Sequence, residues 1–109
     1  MKIIWSPLAI ERMSEIGQYI AQDNPTAAEK WIQTIFEKVG QLEFMPEGGR
    51  VVPEIGRKDF RELLYGNYRI IYKVGDEQVS VLTVRHGRQL LPVEEILPDL
   101  DKTTSSDAH

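Results

Sequence analysis

The chain has 109 residues, a net charge of −4 and no cysteine. That length suits one domain able to close a single core without staples, and the missing thiols exclude disulfides, thiolate metal sites and cysteine nucleophiles. No apolar run approaches a membrane span, and the run at residues 3–5 is too short for a secretory signal, so a cytoplasmic protein with no membrane partner is expected.

Lys2 to Trp5 reads as a short first strand. Ser6-Pro7 then starts a helix, with a hydroxyl at the N-cap and proline at the first helical position, where its missing N–H costs nothing. Ala9, Met13, Ile16 and Ile20 follow at helical spacing and line one face. Asp23-Asn24-Pro25 stops this helix and starts a second by the same logic, with Asn24 as cap. Ala28, Trp31, Ile32, Ile35, Val39 and Leu42 form its apolar stripe, and Met45-Pro46 ends it. So short a connection predicts an antiparallel helix hairpin.

Residues 46–56 hold turn formers and read as a loop. Strands follow at Phe60 to Tyr65, Tyr68 to Val74 and Val79 to Arg85, joined by Gly66-Asn67 and by the Gly75-Asp76 region. The prediction is an α+β domain over residues 1–98: a short N-terminal strand, an antiparallel helix hairpin and a three-strand antiparallel meander, with the helices on one sheet face. Leu90 to Leu97 is apolar enough to dock as a last strand or short helix, and residues 99–109 read as a polar, disordered tail.

Charge is unevenly spread. Residues 1–49 carry four basic against seven acidic side chains, residues 50–88 eight against five, and residues 89–109 one against five. The middle segment is the basic one, and Arg61, Arg69, Arg85 and Arg88 all lie in or beside its strands. A buried strand has no need of arginine. These groups therefore either pair with the chain's own carboxylates or offer fixed positive charge to a partner. Alternation puts Arg69, Ile71 and Lys73 on one face, and Tyr68, Ile70, Tyr72 and Val74 on the other. By the same rule Val79, Val81, Thr83 and Arg85 oppose Ser80, Leu82, Val84 and His86. A register that brings Arg69 and Arg85 together predicts a basic sheet surface opposite the helices.

Histidine is the residue type suited to proton transfer near neutral pH, which makes His86 the candidate general acid or base, though a lone strand-end histidine is more often a surface or packing residue. Tyr65, Tyr68 and Tyr72 read as core before base-stacking residues. With no second histidine in the folded part and no glycine-rich phosphate loop, neither a metal nor a cofactor is expected.

Several segments together resemble the RelE/ParE superfamily of bacterial toxins from toxin–antitoxin modules. They are Trp5-Ser6-Pro7, Tyr19-Ile20 with Asn24-Pro25-Thr26-Ala27-Ala28, Pro46-Glu47-Gly48-Gly49-Arg50, Arg61-Glu62-Leu63, Tyr68-Arg69-Ile70-Ile71-Tyr72 and Val84-Arg85-His86-Gly87-Arg88. The resemblance covers nearly all of residues 3–97 and implies the same strand, helix pair and meander. Its ribonuclease branch cleaves messenger RNA on the ribosome with clustered basic side chains and a C-terminal aromatic. Arg69 matches that branch's Tyr-Arg strand. Two other basic positions fall on Phe60 and Glu62, or one of them on Arg61; another falls on Gln89, beside Arg88, and no aromatic follows. A ribonuclease reading would use Arg69, His86 and Arg88. The ParE branch, whose characterised members poison DNA gyrase without being enzymes, matches better at Asn24-Pro25, Gly49-Arg50 and His86-Gly87-Arg88. The resemblance implies a plasmid-stabilisation type of module with gyrase as target and a cognate antitoxin as partner. DNA would be met only indirectly, through the antitoxin complex. A degenerate toxin that retains antitoxin binding alone is the third reading. Arg61, Arg69, Arg85, His86 and Arg88 are the residues expected on the target- or antitoxin-binding face.

Overall fold

The computed structural model describes residues 1–87 together with Leu91 and Ile96. Strand β1 (Lys2–Trp5) leads into helices α1 (Pro7–Asp23) and α2 (Pro25–Gly40), a 3-10 turn (Gln41–Glu43), and strands β2 (Arg50–Val51), β3 (Phe60–Tyr65), β4 (Tyr68–Val74) and β5 (Gln78–His86). Both helix starts form as their sequences dictate. The Ser6 hydroxyl accepts from Ala9 N–H and the Asn24 side chain from Ala27 N–H, each with proline in the first turn. The two caps satisfy donors that would otherwise be orphaned at the helix ends.

The strands form one sheet in the order β1-β5-β4-β3-β2. β3, β4 and β5 make the expected antiparallel meander, whereas β1 crosses over to pair parallel with β5, from Lys2 opposite Gln78 to Trp5 opposite Val81. The two-residue β2, inside the segment read as loop, borders β3 through Arg50–Glu62 and Val51–Arg61.

The core has two parts. Ala9 and Met13 of α1, with Trp31, Ile35 and Val39 of α2, pack on Ile70, Tyr72, Val79, Val81 and Val84. Gly17 lets the helices approach: a Cβ there would sit 2.9 Å from the Ile32 Cδ1 atom. The opposite sheet face is also covered. Val52, Phe60, Ile71, Leu82, Leu91 and Ile96 form a second buried cluster there. Part of the face expected to carry exposed charge is therefore a second apolar core.

One irregularity decides which side chains share a face. Ile71 pairs with Thr83 but Tyr72 pairs with Val81, so Leu82 is an extra residue in β5. Such a bulge reverses the alternation beyond it. Val81 and Val84 consequently both face the helices, and Arg85 leaves the side of Val79 and Val81 for the opposite one. The strict alternation read from the sequence is corrected here.

The expected element at residues 90–97, apart from Leu91 and Ile96, and the tail at 99–109 lie outside the described residues. Among the described residues no helix is long and apolar enough to cross a membrane, and no group of His, Asp and Glu is placed to hold a metal.

Candidate functional site: the arginines of the meander

Arg69 and Arg85 are direct cross-strand partners and share the sheet face away from the helices. Like charges facing each other across a sheet need counter-charge, and for Arg69 the fold supplies it. Arg69 Nε donates to Glu62 Oε1 at 2.6 Å, while Nη1 and Nη2 donate to the two Glu54 oxygens at 2.8 Å each. The other Glu62 oxygen accepts from Arg50 Nε at 2.6 Å. Glu62 reaches Arg69 diagonally, because it lies opposite Ile71, two positions along β4. Glu54 comes from the loop after β2 and closes over the pair.

The result is a chain of alternating charge: Glu54, Arg69, Glu62, Arg50. Its centre is dry, with the Glu62 side chain fully buried and that of Arg69 only 7% exposed. Each of the three guanidinium nitrogens donates to one of these carboxylates, and the hydrogen bonds to Glu54 and Glu62 raise the Arg69 pKa well above its ordinary value.

Glu54 shows the reciprocal effect. The hydrogen bond from Arg69, opposed by partial burial, holds its carboxyl down at about 2 against an ordinary 4.5. A folded value below the unfolded one means that this contribution is complete above the unfolded value. It is lost as pH falls from about 4.5 through about 2. We expect the urea midpoint to drop across that window, and Glu54→Gln, which cannot titrate, to lose part of the drop. Urea unfolding of both proteins at about pH 7, pH 4 and pH 2.5 checks it; parallel curves would remove Glu54 from the account.

Arg61 lies on the other side of the sheet. It pairs with Tyr72, donates from Nε to the Lys58 carbonyl at 3.0 Å and from Nη1 to the Gly49 carbonyl at 2.9 Å, and sits 4.0 Å from Glu47. His86, opposite Tyr68, also turns toward the helix side, its ring edge-on to Tyr68 with centroids 5.6 Å apart. There it lines an open cleft of about 550 Å³ with Arg12, Glu15, Ile16, Tyr19, Tyr68, Val84 and Arg85. Arg88 lies outside the described residues.

The expected single basic face is therefore corrected. Arg69 and Arg85 project from one side, Arg61 and His86 from the other, and Arg69 is enclosed by the chain's own acids. Sequence reasoning missed Glu54, Glu62 and Gly49. The signal available was the turn-rich 46–56 segment beside a strand with an acid at Glu62, but only pairing register says which arginine those acids meet.

A strand, a capped helix hairpin and an antiparallel meander, in this order and with these arginine-bearing strands, define a small toxin of the RelE/ParE superfamily. The family described as ParE toxin of type II toxin–antitoxin system, parDE, matches residues 3–91, and the chain belongs to it. It is 37% identical over 94 residues to the Sinorhizobium fredii protein named "Putative toxin Y4kP", covering 84% of this chain and 93% of that one. It is 29% identical over 90 residues to toxin RelE2 of Caulobacter vibrioides, covering 82% and 98%. Among solved structures, a chain of the chromosomal ParDE TA system from P. aeruginosa shares the fold with a TM-score of 0.64 at 21% identity, over 79% of this chain and 95% of that one.

Proposed function

We propose that this protein acts by binding: a cytoplasmic toxin that inhibits DNA gyrase and is held silent by a cognate antitoxin. The observation that carries this reading is the enclosure of Arg69 by the chain's own carboxylates. A ribonuclease must hold a phosphorane's charge with several fixed donors converging on one point. The arginine that matches the ribonuclease branch is nearly buried and already donates from each of its three nitrogens to Glu54 or Glu62, and Arg61 and His86 stand across the sheet from it. With no convergent cationic site among the described residues, surface recognition is the mode of action this reading favours.

The antitoxin's place is the cleft between α1 and the end of β5. Ile16, Tyr19, Tyr68 and Val84 give it an apolar wall, and His86 with the Arg12–Glu15 pair gives it a polar edge, where β5 passes Arg85 to the other face. This suits an amphipathic helix that folds on binding. In this reading Arg85, His86 and the neighbouring Arg88 contact the antitoxin, while Arg61 and Arg69 hold the surface in shape.

The relative named RelE2 keeps the ribosome as the competing target, and two assays separate them. Purified protein added to gyrase should inhibit supercoiling or trap cleaved DNA, and should leave ribosome-bound messenger RNA intact. Cleavage of the message with normal supercoiling overturns the gyrase reading; inactivity in both assays, with antitoxin binding kept, identifies a degenerate toxin.

A further inference from the structure

The chain between α2 and β2 holds Phe44 and Met45 out in solvent, 82% and 65% exposed. In a loose loop such exposure would mean little. Here the backbone is fastened on every side. Phe44 and Met45 N–H both donate to the Gln41 carbonyl at 3.1 and 3.0 Å, and Gly48 N–H donates to the Met45 carbonyl at 2.9 Å. The Met1 ammonium donates to the Glu43 carbonyl at 2.7 Å, and the Tyr72 hydroxyl, rising from the core, to the Pro46 carbonyl at 2.9 Å. Leu42, just before the tip, is buried. A tip this well tied is pre-organised, and little ordering entropy stands against its binding.

The knob continues into a strip. Phe36, 45% exposed, lies one turn before Gly40 on α2, and Gly40 has nothing within 4 Å of the place its Cβ would take. Phe36 and Gly40 share a face of α2, with the Phe36 ring centroid 5.0 Å from that of Trp5, and the chain then passes through the 3-10 turn to Phe44.

The rim of the strip is acidic. Glu37, Glu43 and Glu47 are exposed, and no ion pair of Glu37 or Glu43 occurs among the described residues. The nearby cations are engaged or turned away. The Met1 ammonium donates to the Glu43 backbone carbonyl, Lys38 lies over the Tyr65 ring at 5.4 Å, and Lys2 alternates with Ile3 and Trp5 onto the other sheet face.

We propose that the Phe44–Met45 knob is the target contact, entering an apolar cleft rimmed by lysine and arginine on a DNA-handling protein. The inference rests on the binding function proposed above and names the surface that performs it. Proteins that handle DNA carry fixed positive charge for the phosphates, which suits an apolar plug ringed by carboxylates. A second copy of this chain is a poor occupant, since a twofold contact sets acid against acid. The antitoxin cleft is elsewhere. The knob sits beside Met1, where β1 meets the start of β5, and the cleft lies at the His86 end, roughly 25 Å along the strand.

The test induces the full chain in bacteria as parent, as Phe44→Ser/Met45→Ser, as Glu37→Lys/Glu43→Lys and, as an exposed apolar control, as Ile10→Ser. Survival should rise at least about 100-fold for the first two variants and stay at the parent's level for Ile10→Ser, which a target anchor worth two factors of ten predicts. Melting temperature and co-purification with the antitoxin should match the parent throughout. Full toxicity of the serine pair overturns the knob, and full toxicity of the lysine pair overturns the basic rim. Loss of antitoxin capture by the serine pair assigns the strip to the antitoxin instead, and a parental dimer that the pair splits assigns it to a second copy. Both of those results overturn the proposal. A parent that does not arrest growth brings down the proposed function and this inference together. A parent that arrests growth but leaves gyrase untouched, with the serine pair harmless, refutes gyrase alone.

Discussion

Replacing Arg69 with methionine should cost about 3–5 kcal/mol of folding stability, the usual loss when one partner of a buried ion pair is removed. The cost arises less from the missing attraction than from Glu62, left charged and fully buried on the sheet. A domain of this size has a total of about 5–15 kcal/mol, so the variant stands near the edge of folding. Glu54 is a third exposed and can turn to water. Glu62 keeps only Arg50, whose own side chain is 56% exposed. Removing the buried acid as well, in Arg69→Met/Glu62→Met, should recover most of the loss, because two apolar side chains of similar length leave no orphaned charge. Urea unfolding of the single and double variants measures both. A single-variant loss under about 1 kcal/mol would show that Glu62 finds water or another donor, since paired surface charges cost no more than that. The same physics bears on any toxicity assay. Growth arrest that fades in Arg69→Ala but not in Lys58→Ala reports a weakened fold, and only variants of unchanged stability report target contact.

Gly49→Ala should be the most damaging single-methyl change in the chain. The added Cβ would lie 2.4 Å from the Glu62 carbonyl oxygen and 2.7 Å from the Tyr72 hydroxyl. Neither neighbour can yield cheaply. The carbonyl belongs to β3, and the hydroxyl is a fixed relay, accepting from Gly49 N–H at 2.8 Å and donating to the Pro46 carbonyl at 2.9 Å. Overpacking of this kind costs about 1–3 kcal/mol when side chains absorb it and more when backbone must move. We expect about 3 kcal/mol or more here, with the β2–β3 pairing the first structure to loosen. Gly40→Ala is the contrasting change. It sits in helical backbone with open space around its Cβ position, so it should add about 0.5–1 kcal/mol. Thermal melts of the two variants beside the parent should therefore move in opposite directions; a harmless Gly49→Ala would mean that the 46–49 segment can lift off the sheet.

The two glycines also show where sequence reasoning stops. Both sit in turn-rich or helix-ending surroundings, and nothing local tells them apart. What distinguishes Gly49 is a carbonyl 13 residues away in sequence and a tyrosine 23 residues away, brought to it by strand pairing. The same holds for the arginines. That Arg69 shares a face with Ile71 and Lys73 follows from the pleat alone. That Arg85 joins it depends on the extra residue at Leu82, and a bulge in a run such as Val79 to Val84 leaves no mark in composition.

Local chemistry was therefore sufficient for the helix starts and the meander, though not for β2 or for the end of α2, which gives way at Gly40 to a 3-10 turn before the Met45-Pro46 stop. Ser6-Pro7 and Asn24-Pro25 set the helix starts, helical spacing chose the buried stripes, and Gly66-Asn67 closed the first hairpin, because each depends on residues within a turn of one another. The order and direction of the strands, with β1 crossing to run parallel beside β5, depended on contacts some 76 residues apart in sequence. Above all, the fate of each charge was decided in three dimensions. An arginine displayed to a partner and one closed over by Glu54 and Glu62 look identical in a strand. Coulombic pairing depends on distance through space and on the water excluded from it, and the chain acquires both only once the sheet is assembled.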